Sequence, residues 1–224
     1  MRYFRVGAYE KAASAFERLT KRQRLRFGLQ PGDLPEVLQE VASYDSLPHE
    51  RDALVSVRKL WHLSQSADHA KSRLRRAKSL YAMAAYMYRQ RALLFYSPGL
   101  WKGQRSFAIC LYWAPEVNNK ADDRNLERYC HQHETLTHVL RLCHDVEAMH
   151  LHAPVVAKAL YTEGLAADHL SNLNGYWRDK PGLKKRAVAS MHRMIRLYPH
   201  DPLAANARKY AEVFQEEDRP DYNR

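Results

Sequence analysis

The sequence has little of what staples or breaks unusual chains. It holds three cysteines, Cys110, Cys130 and Cys143. An odd, widely spaced set cannot make a disulfide framework, and it suits a reducing compartment or buried thiols. Eight glycines exclude a collagen-like chain. The longest uncharged runs, such as Ser79–Tyr88 and Ser106–Pro115, reach 10 residues. A membrane-spanning helix needs about 20 apolar residues, so no span is expected. No alternating run of β-branched residues bounded by turn pairs occurs, which removes the strand signal. The glycine patterns of the nucleophile elbow, the phosphate loop and the dinucleotide fold are all missing. Met1–Gly7 carries no apolar segment of the secretory kind, so a cytoplasmic, soluble protein is expected.

What is present is enough to fold. The chain has 224 residues, 46% apolar and 27% charged, and 24 aromatics (6 Phe, 14 Tyr, 4 Trp). That composition excludes wholesale disorder and supports a core without disulfides or metal. Residues 1–215 read as one domain, with 216–224 as a polar, frayed tail.

The apolar periodicity is helical throughout. Ala12, Ala15, Phe16 and Leu19 make one stripe on a helix over 8–19. Asp33 and Glu36 stand in capping-box order before Val37, Leu38 and Val41. A helix follows over 50–63. The longest pattern, 67–96, carries Leu74, Ala77, Tyr81, Ala84, Tyr88, Ala92 and Phe95 on one stripe. Further helices are predicted from Pro98 to Trp113, over 122–150, 154–173, 182–198 and 202–214. Short connections between helices mean antiparallel neighbours. The expected fold is therefore all-α, an antiparallel helical array of the bundle or solenoid kind.

The ends of the chain carry a recurring pattern. Gly7, Tyr9, Ala12, Phe16 and Leu19 resemble the second helix of a tetratricopeptide repeat. Gly182, Ala187 and Met191 repeat the same offsets, five and then four residues. Tyr198-Pro199-His200-Asp201-Pro202 then looks like the turn between repeats, with Pro199 twelve residues after Ala187. A small residue lets two helices approach and an aromatic or Met fills the groove beside it; the proline stops one helix. The resemblance spans residues 5–19 and 182–214. Arg24 stands where the first match should have its proline, and residues 31–175 show no 34-residue period. The first match covers half a repeat, which leaves room for a segment ahead of Met1, a signal peptide included. The resemblance implies stacked helix pairs and a groove for a protein or peptide partner.

Charge supplies the other candidate. The net charge is +11. Residues 31–50 hold five acidic and no basic residues, whereas 51–105 hold 12 basic and two acidic. Read as one helix, 67–96 puts Lys71, Arg75 and Lys78 on one face, with Arg73 and Arg76 beside it and Arg89 and Arg91 downstream. Lys21, Arg22, Arg24 and Arg26 form a second run. Such clusters neutralise phosphates or meet an acidic peptide, and otherwise are solvated helix faces. Tyr81, Tyr86 and Tyr88 would be stacking platforms if exposed, but their spacing suits the core.

Other chemistry reads weakly. Of twelve histidines, seven lie between 131 and 169. His131, Glu134 and His138 share a helix face, and Glu147-x-x-His150 has the spacing of di-iron bundles, which need two such motifs. Cys130 and Cys143 each precede a histidine, but adjacent helical residues point about 100° apart. Phe95, Tyr96, Leu100, Trp101, Phe107, Tyr112 and Trp113 read as core or as a partner surface. The expectation is a non-catalytic scaffold without metal or cofactor, binding a protein or peptide partner, an acidic one included. The alternative is binding of nucleic acid or another anionic surface through residues 71–91.

Overall fold

The computed structural model describes residues 2–25, 52–90, 135–172 and 179–217. Among the described residues every regular element is a helix, and the fold is an all-α helical array. The elements are α1 Arg2–Arg5, α2 Tyr9–Glu17, α3 Lys21–Leu25, α4 Ala53–Asp68, α5 Arg73–Gln90, α6 Thr135–Glu147, α7 Pro154–Ser171, α8 Lys180–Leu197 and α9 Ala204–Glu217. No described helix is long and apolar enough to cross a membrane. The helices predicted around 33–41 and 98–113, the aromatic run 95–113, and His131 and Glu134 lie outside the described residues, as do Arg26 and Arg91.

The chain divides into two compact units, Met1–His62 with Arg89–Thr135, and Leu63–Tyr88 with Leu136–Arg224. In the first, Gly7 takes φ +76 and turns α1 into α2, a left-handed conformation that glycine adopts without a steric penalty. Phe4 meets Tyr9 edge-on at 6.2 Å, and Ala12, Ala13 and Phe16 are buried beneath. Thr20 and Gln23 cap α3 reciprocally: Thr20 N donates to Gln23 Oε1 at 2.8 Å and Gln23 N to Thr20 Oγ1 at 3.3 Å. Arg24 then clamps Asp52 with Nε–Oδ1 at 2.9 Å and Nη2–Oδ2 at 3.0 Å. Asp52 Oδ1 also accepts from Leu54 N at 3.0 Å, at the start of α4.

The second unit is built from helix pairs. Its ordering follows from which side chains meet. Tyr81 and Thr162 hydroxyls lie 3.5 Å apart, and seven residues further along both helices Tyr88 Oη and His169 Nδ1 are also 3.5 Å apart. α5 and α7 are therefore parallel. Lys184 pairs with Asp168, and Ser190 with Glu163, so position rises along α8 as it falls along α7. These two are antiparallel. Arg73, at the start of α5, donates to Met149 O just past the end of α6. Tyr198 Oη, at the end of α8, donates to Leu151 O in the α6–α7 turn at 3.0 Å. α7 packs against α8, and α8 in turn against α9.

α7 is the central helix, buried on nearly all sides. Leu160 and Leu170 are almost completely removed from solvent, each stabilising by about 1.5–3 kcal/mol. The pair α7/α8 closes at Gly164. A Cβ there would stand 2.7 Å from Met191 Cε and 3.2 Å from Ala187 O. Ala187, Met191 and Met194 are fully buried at this contact. Gly182 behaves otherwise: it is exposed, with no atom within 4 Å of a Cβ. Its offset from Ala187 in the sequence does not serve a close approach. Tyr198 caps α8 and Pro199 is exposed in the turn that leads to α9. α9 buries Ala204, Ala207, Ala211 and Phe214, the 3/4 stripe of an amphipathic helix.

The helix predicted over 67–96 is corrected. α4 runs on to Asp68 and a turn separates it from α5. Ser72 Oγ accepts from Arg75 N at 3.2 Å, the N-cap bond that starts a new helix.

Candidate functional site

The break at Ser72 takes Lys71 off the proposed face. Lys71 sits in the turn, so it does not continue the row of Arg75 and Lys78 on α5. Arg73, Arg75, Arg76, Lys78 and Arg89 are all exposed on α5. A 3.6-residue turn puts Arg75, Lys78 and Arg89 on one side of that helix and Arg73 and Arg76 elsewhere. Arg73 is spent on Met149 O. Arg75, Arg76 and Lys78 make no ion pair among the described residues. Tyr86 is buried, while Tyr81 and Tyr88 face Thr162 and His169, so none is an open stacking platform. In the second basic run, Arg24 is committed to Asp52; their hydrogen bond raises the Arg24 pKa and lowers that of Asp52.

The structure gathers a different site between α6, α7 and α8. Thr137, Leu140, Arg141, His144 and Glu147 of α6 line a cleft of about 560 Å³ with Glu163 of α7 and Arg186, Ala189, Ser190 and Arg193 of α8. Its floor is a pair of buried carboxyl groups, Glu147 and Glu163, whose residues are 6% and 5% exposed. Arg186 donates to Glu163 Oε1 through Nε at 2.8 Å and also through Nη2. Ser190 Oγ donates to Glu163 Oε2 at 2.9 Å, and Arg193 Nη1 to Glu147 Oε2 at 2.6 Å.

Two carboxyl groups this close divide one proton unequally. Burial first, and Glu163 second, push the Glu147 pKa up to about 8. Burial also disfavours charge on Glu163, but the hydrogen bond from Glu147 and the Arg186 guanidinium outweigh it and hold its carboxyl below the usual range. Glu147 Oε1 is buried and, as a carboxylate oxygen, has no partner among the described residues. A proton on Glu147 given toward Glu163 supplies that partner. At neutral pH the cleft then carries three arginines against one carboxylate charge.

The rest of the sequence chemistry is not assembled. α6 ends at Glu147, and His150 lies beyond it at φ 50, exposed. The Glu-x-x-His spacing therefore does not put both side chains on one helix face. Among the described residues no group of three or more histidine, cysteine or acidic side chains could hold a metal ion. Burial, ahead of Glu163 and Glu147, pushes the Cys143 thiol well above its ordinary range, the opposite of an activated thiolate.

Sequence reading passed over Arg141, Arg186 and Arg193. The signal available was Glu147, which continues the buried stripe of Leu136, Leu140 and Cys143, and Glu163, which interrupts the apolar run of α7. A carboxylate at a core position needs a partner, and the partners mark the cleft. Comparison of the chain with protein-family models, with curated proteins and with solved structures finds no match in any of the three.

Proposed function

We propose that the chain is a non-catalytic helical scaffold that holds a protein or peptide partner against the helix pairs of its second unit. The observation that carries this reading is the cleft of about 560 Å³ between α6, α7 and α8, walled by cationic side chains. Stacked helix pairs commonly present such surfaces to partners, and fold alone does not fix function. The tetratricopeptide resemblance at 5–19 and 182–214 points the same way, because Ala187 and Met191 meet a glycine of the preceding helix. A non-catalytic role accords with the floor of the cleft, where three of the four carboxyl oxygens are already bonded to Arg186, Ser190 and Arg193. Their positions hold the helices together.

A second reading has its own observation. Arg75, Arg76 and Lys78 are exposed and without ion pairs among the described residues, as a surface for nucleic acid or another polyanion would require. The half-buried tyrosines beside them weaken it, since single strands are held by stacking as well as charge.

Affinity capture with the full chain at two salt concentrations, with and without nuclease, tests the scaffold reading. A protein partner retained after nuclease, and surviving moderate salt, is expected. Recovery of nucleic acid alone, lost steeply as salt rises, would overturn the scaffold reading in favour of the second.

A further inference from the structure

We infer that the α6–α7–α8 cleft binds the carboxylates of an acidic peptide segment, with Arg141, His144, Arg186 and Arg193 as its donors. The inference rests on the scaffold reading and names the site and the chemistry of its occupant. Three observations carry it.

The first is unspent hydrogen-bonding capacity. Arg193 uses one N–H on Glu147, and Arg186 uses two on Glu163, of the five that each guanidinium has. Their side chains remain 48% and 40% exposed. Arg141 contacts His138 at 3.2 Å and pairs with no acid among the described residues, and His144 is exposed beside it. The second is charge. The buried carboxyl pair orients Arg186 and Arg193 yet offsets little of their charge, because Glu147 keeps its proton at neutral pH. A cleft with cationic excess and a shielded floor draws anions. The third is the shape of the donors and what is absent beside them. A guanidinium fork matches a carboxylate in two parallel bonds. Among the described residues the lining holds no Phe, Tyr or Trp on which a base would stack. Its volume suits a few side chains of a peptide.

A fluorescein-labelled deca-glutamate peptide is the probe, followed by anisotropy with the full chain at pH 7 in low salt. Saturable binding is expected, absent for a deca-lysine peptide. Arg141→Glu reverses an exposed charge outside the carboxyl network and leaves the fold intact. It should weaken the peptide about tenfold or more, whereas Arg75→Glu with Lys78→Glu on α5 should leave it unchanged. Arg193→Ala should also weaken it; because that variant frees Glu147, its melting temperature is read alongside, and Arg141→Glu decides. Retention of the peptide by Arg141→Glu would overturn the inference, as would its loss on the α5 double substitution. Tighter binding of single-stranded RNA at the same cleft would overturn it too. None of these outcomes touches the scaffold reading, which stands or falls on capture of a protein partner after nuclease.

Discussion

Gly164→Ala sets two known effects against each other at one atom. An alanine in mid-helix is favoured over glycine by about 1 kcal/mol. Its Cβ, however, would stand 2.7 Å from Met191 Cε and 3.2 Å from both Met191 Cγ and Ala187 O. Carbon atoms in good contact lie about 3.5–4.0 Å apart. The Met191 methyl has to retreat by several tenths of an ångström, and Met191 is fully buried. Ala187 O is backbone, so it moves only if α8 moves. Overpacking of this kind costs about 1–3 kcal/mol. The net is a loss of up to about 2 kcal/mol, which in a chain of 224 residues lowers Tm by up to roughly 8 °C. Thermal unfolding by circular dichroism reads it directly. Met191→Ala alone should cost about 2–5 kcal/mol, and in that background Gly164→Ala should become neutral or stabilising. A raised Tm for Gly164→Ala, or no coupling between the two substitutions, would refute the steric reasoning.

The buried carboxyl pair gives a pH signature. Between its ordinary value and about 8, Glu147 holds a proton in the folded state that the unfolded chain has released, so its contribution to stability falls as pH rises through that window. Glu147→Gln fixes the neutral form, and its Tm should match wild type near pH 5, exceed it increasingly up to about pH 8 and level off above that; a constant difference would contradict the shared proton. Asp168→Ala removes the carboxylate that Lys184, 2% exposed, bonds at 2.6 Å, and breaking one side of a buried ion pair should cost about 3–5 kcal/mol in denaturant unfolding. His150→Gly relieves a left-handed residue at φ 50, worth about 1–2 kcal/mol less roughly 0.5–1 kcal/mol for glycine's entropy, so a small gain in Tm is expected.

The helical class was legible because burial follows the 3.6-residue stripes read from the sequence, as at Ala12, Phe16, Ala187, Met191 and Phe214. The placing of α5 against α7 was not. The residues that α5 and α7 bring together are 81 apart, because residues 91–134 intervene between α5 and α6. A 34-residue period cannot survive such an interval. The break at Ser72 was missed because the apolar positions on either side happen to stay in phase, and a serine cap is a local signal that periodicity ignores. Gly182 drew attention by its offset, while Gly164, inside an apolar helix where glycine needs a packing reason, was the residue at the close approach. The cleft was hidden for a related reason. Runs of like charge attract notice, but Arg141, Arg186 and Arg193 are spread over two helices and converge only when α6 and α8 stand beside α7.

The central claim is that an acidic segment of a partner is held by this cleft. Hydrogen–deuterium exchange of the full chain, with and without the deca-glutamate peptide, tests it most directly. The account predicts added protection along Thr135–Glu147 and across the middle of Lys180–Leu197, with Arg73–Gln90 unchanged. Protection confined to Arg73–Gln90, or none at either place with the peptide at saturating concentration, would contradict it.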